Sequence, residues 1–328
     1  MRLVRFALWA FVWFAVLLCV VWATGALYFD FPVLGEGLAV GFVIVSIVAA
    51  AWLRGNLRKL SFLLGAFIIV LFWWLTLKPT NNRAWQPDMG QTAWAEIKGD
   101  LVDVHNVRNC EYRGEHDFIT RWETRRVRLS QISGIDLAIT FWGSAWIAHP
   151  IMSFRFQDAN PLCFSIETRK AIGQSYSAVR GLYRQYTLIY VVADERDLIR
   201  VRSNYRRGED VYLYRMRITP ADARALFLEY IATVNSLHEN ARWYNAVTAN
   251  CTTSIREQRP AHERMPWDWR MLLNGKSDEL LYERKLIATG GLSFAELKKR
   301  SWINERARAA DHESDFSRLI RVGLPQSD

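Results

Sequence analysis

Three long apolar runs open the chain and constrain its fold more than any other feature. They extend from Phe6 to Leu27, from Val33 to Leu53 and from Leu60 to Leu77. Each approaches or exceeds the ~18–20 residues that an α-helix needs to cross a hydrocarbon core. Trp or Tyr lies near an end of every run, as is common at membrane interfaces. The sequence therefore predicts a three-helix transmembrane anchor over residues 1–78, followed by a linker over residues 79–95.

The charges that flank the runs predict an orientation. Basic residues precede the first run and fill the loop between the second and third: Arg2, Arg5, Arg54, Arg58 and Lys59. The loop over residues 28–32 contains none. Because basic loops stay in the cytoplasm, the N-terminus is expected there and everything after Lys78 on the opposite side. A cleaved signal peptide ending near Thr24-Gly25-Ala26 is the alternative for the first run, and its length favours a retained anchor.

The roughly 250 residues after Lys78 are enough for one domain with its own hydrophobic core. The net charge of +9 is spread through the chain, and arginine supplies most of the basic side chains. Such a domain beside a bilayer is expected to be attracted to anionic headgroups, and nucleic acid is not an expected partner. The sequence contains no CxxC or HExxH motif and no glycine-rich phosphate loop, so neither a metal nor a cofactor is predicted.

The pattern after the linker predicts an α+β domain over residues 96–262 and a helical extension over residues 263–328 that packs on it. Strands are predicted at Glu96–Val104, Arg121–Leu129, Ile135–Trp142, His149–Phe156, Leu162–Glu167, Tyr186–Ala193, Leu198–Arg202 and Asp210–Ile218. Thr219 followed by Pro220 predicts the start of a helix that runs to about His238. Ser293 and Glu296 form a capping box that predicts a second helix, extending toward Ala309.

Two of these strands are predicted to form a hairpin that carries chemistry. His149 begins the first strand, Glu167 ends the second, and the turn between them contains Asp158, Asn160 and Pro161. In an antiparallel pair these two ends are neighbours, so Glu167 is expected to hydrogen-bond the imidazole of His149. The alternative is an ion pair between Glu167 and a nearby arginine such as Arg169.

Cys251 is the candidate nucleophile. Asn250 is a suitable N-cap for a helix that opens at Cys251, and a thiol at this position has its pKa lowered by the helix dipole. The backbone N–H of Cys251 and the side chain of Asn250 are the candidate oxyanion donors. The alternative is a buried structural cysteine. Of the other cysteines, Cys19 lies in the first apolar run, and the sequence does not decide whether Cys110 pairs with Cys163.

Four segments together resemble the Lnb N-terminal periplasmic domain family of lipoprotein N-acyltransferases. They are Trp142-Gly143-Ser144 with Ala148-His149, Ser165-Ile166-Glu167-Thr168-Arg169, Tyr190 to Asp197, and Tyr244-Asn245 with Asn250-Cys251-Thr252-Thr253. The order of histidine and cysteine is also similar to permuted NlpC-type, papain-like enzymes. The resemblance implies a bacterial inner-membrane protein with a periplasmic domain, Cys251 as the nucleophile, His149 as the base and Glu167 as the residue that orients the imidazole.

The expected function is a thiol acyltransferase or hydrolase that acts on lipid or lipoprotein acyl groups through an acyl-cysteine intermediate. A phospholipid acyl donor is the simplest substrate for a membrane-tethered enzyme, and Arg184, Arg200 and Arg202 are expected to meet its phosphate. One alternative is a cysteine amidase or peptidase that acts on peptidoglycan or lipoprotein. The other is a basic, non-catalytic scaffold that binds lipid or protein.

Overall fold

The computed structural model describes residues 2–248, 255, 266–271 and 273–325. The chain divides into two compact units. The membrane unit consists of Met1–Thr80, Tyr176–Thr187 and Trp243–Ala246, and the sheet unit consists of Asn81–Ser175, Leu188–Arg242 and Val247–Asp328.

Three helices dominate the membrane unit, as the apolar runs predict. Helix α1 spans Arg2–Asp30, α2 spans Gly35–Trp52 and α3 spans Asn56–Thr76, and each is long and apolar enough to cross a membrane. Most of their large apolar side chains are exposed. The alanines Ala23 and Ala26 of α1 are fully buried, because small side chains let the helices approach closely. The composition of these surfaces suits a hydrocarbon environment.

A seven-strand path forms the centre of the sheet unit. In chain order the strands are β1 Trp94–Lys98, β2 Leu101–Arg108, β3 Glu111–Tyr112, β4 Phe118–Ile119, β5 Trp122–Arg128, β6 Ile132–Trp142, β7 Ala148–Phe156, β8 Leu162–Arg169, β9 Thr187–Asp194 and β10 Glu209–Arg215. The spatial order is β1-β2-β9-β8-β7-β6-β10, with β5 paired to β2 as an eighth strand and β3 paired to β4 separately. The pairs β1–β2, β6–β7, β7–β8 and β6–β10 are antiparallel, whereas β2 meets β9 in parallel.

Helices cover both faces of this sheet. They are α4 Glu195–Arg200, α5 Pro220–Glu239, α6 Ser277–Glu283, α7 Phe294–Ser301, α8 Asn304–Ala309 and α9 Phe316–Leu319. Strict alternation along β7 and β8 divides their side chains between two cores. Phe154 and Phe164 pack on Phe227 of α5 on one face, while Ile151 and Cys163 belong to the core that α4, α8 and α9 cover. The α+β class is therefore confirmed.

Local signals at the helix starts are confirmed. The Thr219 side chain accepts a hydrogen bond from the Asp222 N–H at the start of α5, with Pro220 as the first helical residue. Ser293 and Glu296 form the reciprocal capping box that opens α7. The helix expected to run from there to Ala309 is interrupted near Trp302, and α8 continues after it.

Two predicted strands were wrong. Leu198–Arg202 is helical: it covers the end of α4 and the first residues of a π-helical turn, Val201–Tyr205. The cause lies just upstream, since the Asp194 carboxylate accepts the Arg196 N–H and caps a helix before this short apolar run. Glu96–Val104 is two strands instead of one, because the chain reverses at Gly99, whose φ of +64° suits glycine.

Candidate active site

The hairpin that carries His149 and Glu167 forms as predicted. Strand β7 pairs with β8 in antiparallel register, with Ile151 opposite Ser165. Continuing this register by two residues places His149 opposite Glu167. Both side chains are largely buried, with 13% and 14% of their surfaces exposed. They lie on the sheet face that α4 covers, at the end of β7 nearest the β6–β7 connection.

A serine stands between the histidine and the carboxylate. The His149 Nε2 atom lies 2.7 Å from Ser165 Oγ, and Ser165 Oγ lies 2.7 Å from Glu167 Oε1. The direct distance from His149 Nε2 to Glu167 Oε1 is 3.8 Å, too long for a hydrogen bond. The expected His149–Glu167 hydrogen bond is therefore replaced by a relay through Ser165. Strand alternation does place Ser165 on the same face as Glu167, two residues away.

The direction of this relay fixes the tautomer of the imidazole. An ionised Glu167 only accepts hydrogen bonds, so the single hydroxyl proton of Ser165 points to Glu167. The Ser165 oxygen must then accept from Nε2–H of His149. The remaining nitrogen, Nδ1, therefore carries the lone pair. In this arrangement His149 is a neutral base. Its proton-accepting atom is Nδ1, the ring nitrogen that does not bond Ser165.

Charges around His149 keep it neutral. Burial, together with the Arg202 and Arg206 guanidinium groups, lowers the pKa of the His149 imidazole to about 3, against the opposing effect of Glu167. Burial raises the pKa of Glu167, but Arg202 and His149 outweigh burial and hold it well below the ordinary value. The Arg202 guanidinium donates to Glu167 Oε1 at 2.9 Å. Glu167 thus forms an ion pair with an arginine, as the alternative prediction for this residue stated. The partner is Arg202 instead of Arg169.

Two of the three arginines predicted to meet a phosphate are buried in the sheet unit. Arg200 is 1% exposed and bonds the backbone oxygen of Asp311 at 3.0 Å and the Glu111 carboxylate at 3.2 Å. Arg202 is 4% exposed and is held by Glu167. Their roles in substrate binding stay predictions, and the geometry gives both side chains internal partners.

Arg184 lies in the membrane unit. Its guanidinium carbon is 3.9 Å from the centre of the Trp74 ring, and its side chain donates to the carbonyls of Trp74 and Leu77 at the end of α3. Its backbone N–H and the Trp74 indole both donate to the carboxylate of Asp30, the last residue of α1. Arg184 therefore ties the segment Tyr176–Thr187 to the ends of two spanning helices, and phosphate binding by it stays a prediction.

The two cysteines of the sheet unit that the structure describes are poor nucleophiles. Cys110 and Cys163 are buried and unbonded to each other. Burial raises the pKa of Cys110 to about 12 and the pKa of Cys163 well above its ordinary value, so both stay protonated thiols. The predicted nucleophile Cys251 and oxyanion donor Asn250 lie outside the described residues. The predicted Cys251–His149 contact therefore stays a prediction.

The acidic residues of the resembling segment Tyr190–Asp197 have structural partners. Each carboxylate is buried and meets a different arginine: Asp194 binds Arg125, Glu195 binds Arg321, and Asp197 binds Arg108. These pairs hold the start of α4 against β2, β5 and the turn that follows α9. Because α4 leads directly into Arg202, they also position the guanidinium that fixes Glu167.

Exposed apolar side chains lie at the connection from β6 to β7, which leads into the strand that carries His149. The connection from β6 to β7 leaves Trp142, Trp146 and Ile147 exposed, and the Trp269 ring lies 6.4 Å from the Trp146 ring. We call these four residues the aromatic patch. The patch is held in place by Asn274, whose side chain accepts the Ala148 N–H at 2.8 Å. Four large apolar side chains exposed together are typical of a surface that binds an apolar ligand or a membrane.

Comparison with known proteins gives one match. Residues 119–275, just under half of the chain, match the model of the Lnb N-terminal periplasmic domain. The matched segment contains His149, Ser165, Glu167 and Cys251. No curated protein and no solved structure matches the chain. The match and the three apolar helices together indicate an inner-membrane protein with a periplasmic domain.

Proposed function

We propose that the protein is a membrane-anchored periplasmic thiol acyltransferase or hydrolase that takes an acyl group from a phospholipid. The observation that carries the proposal is the relay from His149 through Ser165 to Glu167, which leaves a neutral imidazole with Nδ1 available as a base. A strongly shifted histidine beside a carboxylate and two arginines is typical of a functional site. Cys251 and His149 both lie within residues 119–275, which match the family model.

The proposed reaction begins at Cys251. His149 Nδ1 takes the thiol proton, and the thiolate attacks the carbonyl carbon of an acyl ester. The tetrahedral oxyanion accepts hydrogen bonds from the Cys251 N–H and the Asn250 side chain. As the C–O bond breaks, the imidazolium returns the proton to the departing alcohol, a lysophospholipid, and an acyl thioester remains. An amine or water then attacks the thioester and gives a proton to His149. As the C–S bond breaks, the sulfur takes that proton from the imidazolium, which regenerates the thiol and releases an amide or a fatty acid.

The surroundings of His149 support a lipid substrate. Three residues of the aromatic patch precede His149 by two to seven positions in the chain, and the exposed patch offers apolar contact to an acyl chain. The Lys276 ammonium lies 5.7 Å from the centre of the Trp146 ring, which brings a cation to the same surface. Apolar side chains with a neighbouring cation complement the two ends of an anionic lipid. We also propose that the periplasmic domain has the permuted papain-like fold that the resemblance implies.

The proposal is tested with the full chain in nanodiscs of phosphatidylglycerol and phosphatidylethanolamine. Mass spectrometry is expected to show lysophospholipid and, at early times, a mass increase of one acyl group on the peptide that contains Cys251. A peptidoglycan stem peptide and a lipoprotein peptide are incubated in parallel. Cleavage of a peptide amide with no release of lysophospholipid would contradict the proposal and support the alternative of a cysteine amidase or peptidase. Absence of both products would favour the non-catalytic scaffold.

The relay predicts that Ser165 acts through His149. Ser165→Ala removes the acceptor of Nε2–H, so the imidazole loses its fixed tautomer, and the turnover rate is expected to fall by roughly 10–10³-fold with little change in KM. Glu167→Gln is expected to lower turnover by ~10–10⁴-fold for the same reason. The exposed Ser130→Ala is the matched control. Unchanged turnover with reduced thermal stability would mean that the relay only supports the fold.

The orientation of the anchor is also part of the proposal. The basic residues around the spans predict a cytoplasmic N-terminus. Alkaline phosphatase fused after Asp328 is expected to be active, whereas the same reporter fused in the loop between α2 and α3 is expected to be inactive. Protein levels are matched by immunoblot. The opposite pattern would place the domain in the cytoplasm and contradict the proposed substrate location.

A further inference from the structure

A cavity at the far end of β7 is lined by Arg155, which shares the buried carboxylate of Asp136 with two other arginines. The cavity has a volume of about 310 Å³. Its walls carry arginine, serine and asparagine side chains: Ser133, Arg155, Asn160, Ser314, Ser317, Arg318 and Arg321. Arg155 is six residues after His149 on the same strand, which is roughly 20 Å at ~3.3 Å per residue. The cavity is therefore separate from the candidate active site.

Beneath the cavity, two buried carboxylates face three arginines. Arg321 takes most of their hydrogen-bonding capacity, because it donates to Asp136 at 2.7 Å and to Glu195 at 2.6 and 2.8 Å. Arg215 donates to the other oxygen of Asp136 at 3.3 Å. Both Asp136 and Glu195 are fully buried. Three guanidinium groups, those of Arg155, Arg215 and Arg321, therefore meet these two carboxylates.

Arg155 lies between this cluster and the cavity. Its buried Nε atom is 3.3 Å from Asp136, and among the described residues this atom has no hydrogen-bond partner. Its side chain is 22% exposed and lines the cavity. An anion in the cavity would therefore meet the exposed part of a guanidinium that is only partly paired inside the protein.

The rest of the cavity wall suits a phosphate group. The hydroxyls of Ser314 and Ser317 and the amide of Asn160 supply neutral donors, and Arg318 supplies a second guanidinium, which Asp315 partly neutralises at 3.1 Å. Guanidinium groups with hydroxyl donors match the geometry of phosphate oxygens. A carboxylic acid or an apolar ligand would use fewer of these donors.

We propose that this cavity binds a phosphate group, either as free phosphate or as the headgroup phosphate of a lipid. Binding places the anion against the exposed part of Arg155, beside the Asp136–Glu195 cluster. The ligand adds no reacting group, and the site is expected to work whether or not Cys251 is a nucleophile.

Isothermal titration of the full chain with inorganic phosphate tests the site. The protein is held in a maltoside detergent, which contains no phosphate, at constant ionic strength with chloride as the balancing anion. Saturable binding of one phosphate is expected. Arg155→Gln is expected to weaken it at least ~10-fold, since a charge-assisted pair is lost. Arg126→Gln, at an exposed arginine on β5, is the matched control and is expected to bind like the wild type.

Asn160→Asp provides a second variant that leaves the buried cluster intact. Asn160 is exposed, so the change adds a negative charge to the cavity wall and is expected to weaken phosphate binding as well. Nanodiscs that contain phosphatidylglycerol identify the source of the phosphate. If inorganic phosphate no longer binds in these nanodiscs, the lipid headgroup occupies the cavity. If inorganic phosphate binds as before, free phosphate is the ligand. Unsaturable heats, or equal binding by Asn160→Asp, Arg126→Gln and the wild type, would overturn the proposal.

Discussion

Replacing Cys251 by alanine is expected to abolish acyl transfer. Loss of a covalent nucleophile lowers turnover by roughly 10⁴–10⁶-fold in comparable enzymes, because no other group forms the acyl intermediate. The rate of lysophospholipid release from nanodiscs is the measurement. The acyl mass increase is expected to disappear with it. Neither Cys110 nor Cys163 can substitute, since burial keeps both thiols protonated.

The other cysteines provide the controls for this change. Cys19→Ala alters a span of the membrane unit, and Cys110→Ala alters a buried site in the sheet unit. Both are expected to keep activity within a few-fold of the wild type, measured per folded protein. Activity of Cys251→Ala close to that of these controls would remove Cys251 from the mechanism.

Replacing His149 by glutamine is expected to have the second largest effect. Glutamine keeps a hydrogen bond to Ser165 but offers no basic nitrogen, so turnover is expected to fall by about 10²–10⁴-fold. The wild-type activity is expected to persist well below pH 6.5, because the pKa of His149 lies near 3 and the imidazole stays neutral there. An acid limb near pH 6.5 would mean that the imidazole is not buried as described.

The same variant changes how stability depends on pH. The unfolded chain binds a proton at His149 near pH 6.5, whereas the folded protein binds it only near pH 3. Protons therefore favour the unfolded state between these values, and the free energy of unfolding falls as the pH is lowered through this window. Between pH 6.5 and pH 5, this contribution is roughly 1–2 kcal/mol.

Urea unfolding in detergent at the two pH values measures this contribution. The wild type is expected to lose more stability than His149→Gln, and the difference between them is the contribution of one histidine. His312→Gln, at a fully exposed histidine, is the control and is expected to follow the wild type. Equal pH dependence in all three proteins would show that His149 titrates normally in the folded state.

Local sequence patterns were enough to predict the scaffold of the candidate site. Hydropathy identified three spanning helices, and alternation with turn residues identified the hairpin that brings His149 and Glu167 together. Hydropathy and strand alternation can both be recognised in short stretches of the sequence. The caps at Thr219 and Ser293 depend on three or four residues and were predicted for the same reason.

The partners within the site could not be predicted in this way. Whether Glu167 bonds His149 directly or through Ser165 depends on side-chain rotamers at one position of the hairpin. The choice of Arg202 over Arg169 depends on a segment that was predicted as a strand and is helical. Pairs such as Arg321 with Glu195 join residues 126 positions apart, which no local pattern encodes.

The most direct test of the thiol site is the rate at which iodoacetamide alkylates each cysteine of the folded full chain. Peptide mass spectrometry follows Cys251, Cys110 and Cys163 in one sample at neutral pH, so the two buried thiols are internal controls. Cys251 is expected to react at least ~10²-fold faster than either, because both controls are buried, protonated thiols, whereas the predicted helix start at Cys251 would lower the pKa of its thiol. His149→Gln is expected to slow the reaction of Cys251. A Cys251 that reacts as slowly as Cys163, or at a rate that His149→Gln does not change, would contradict the proposed Cys251–His149 site.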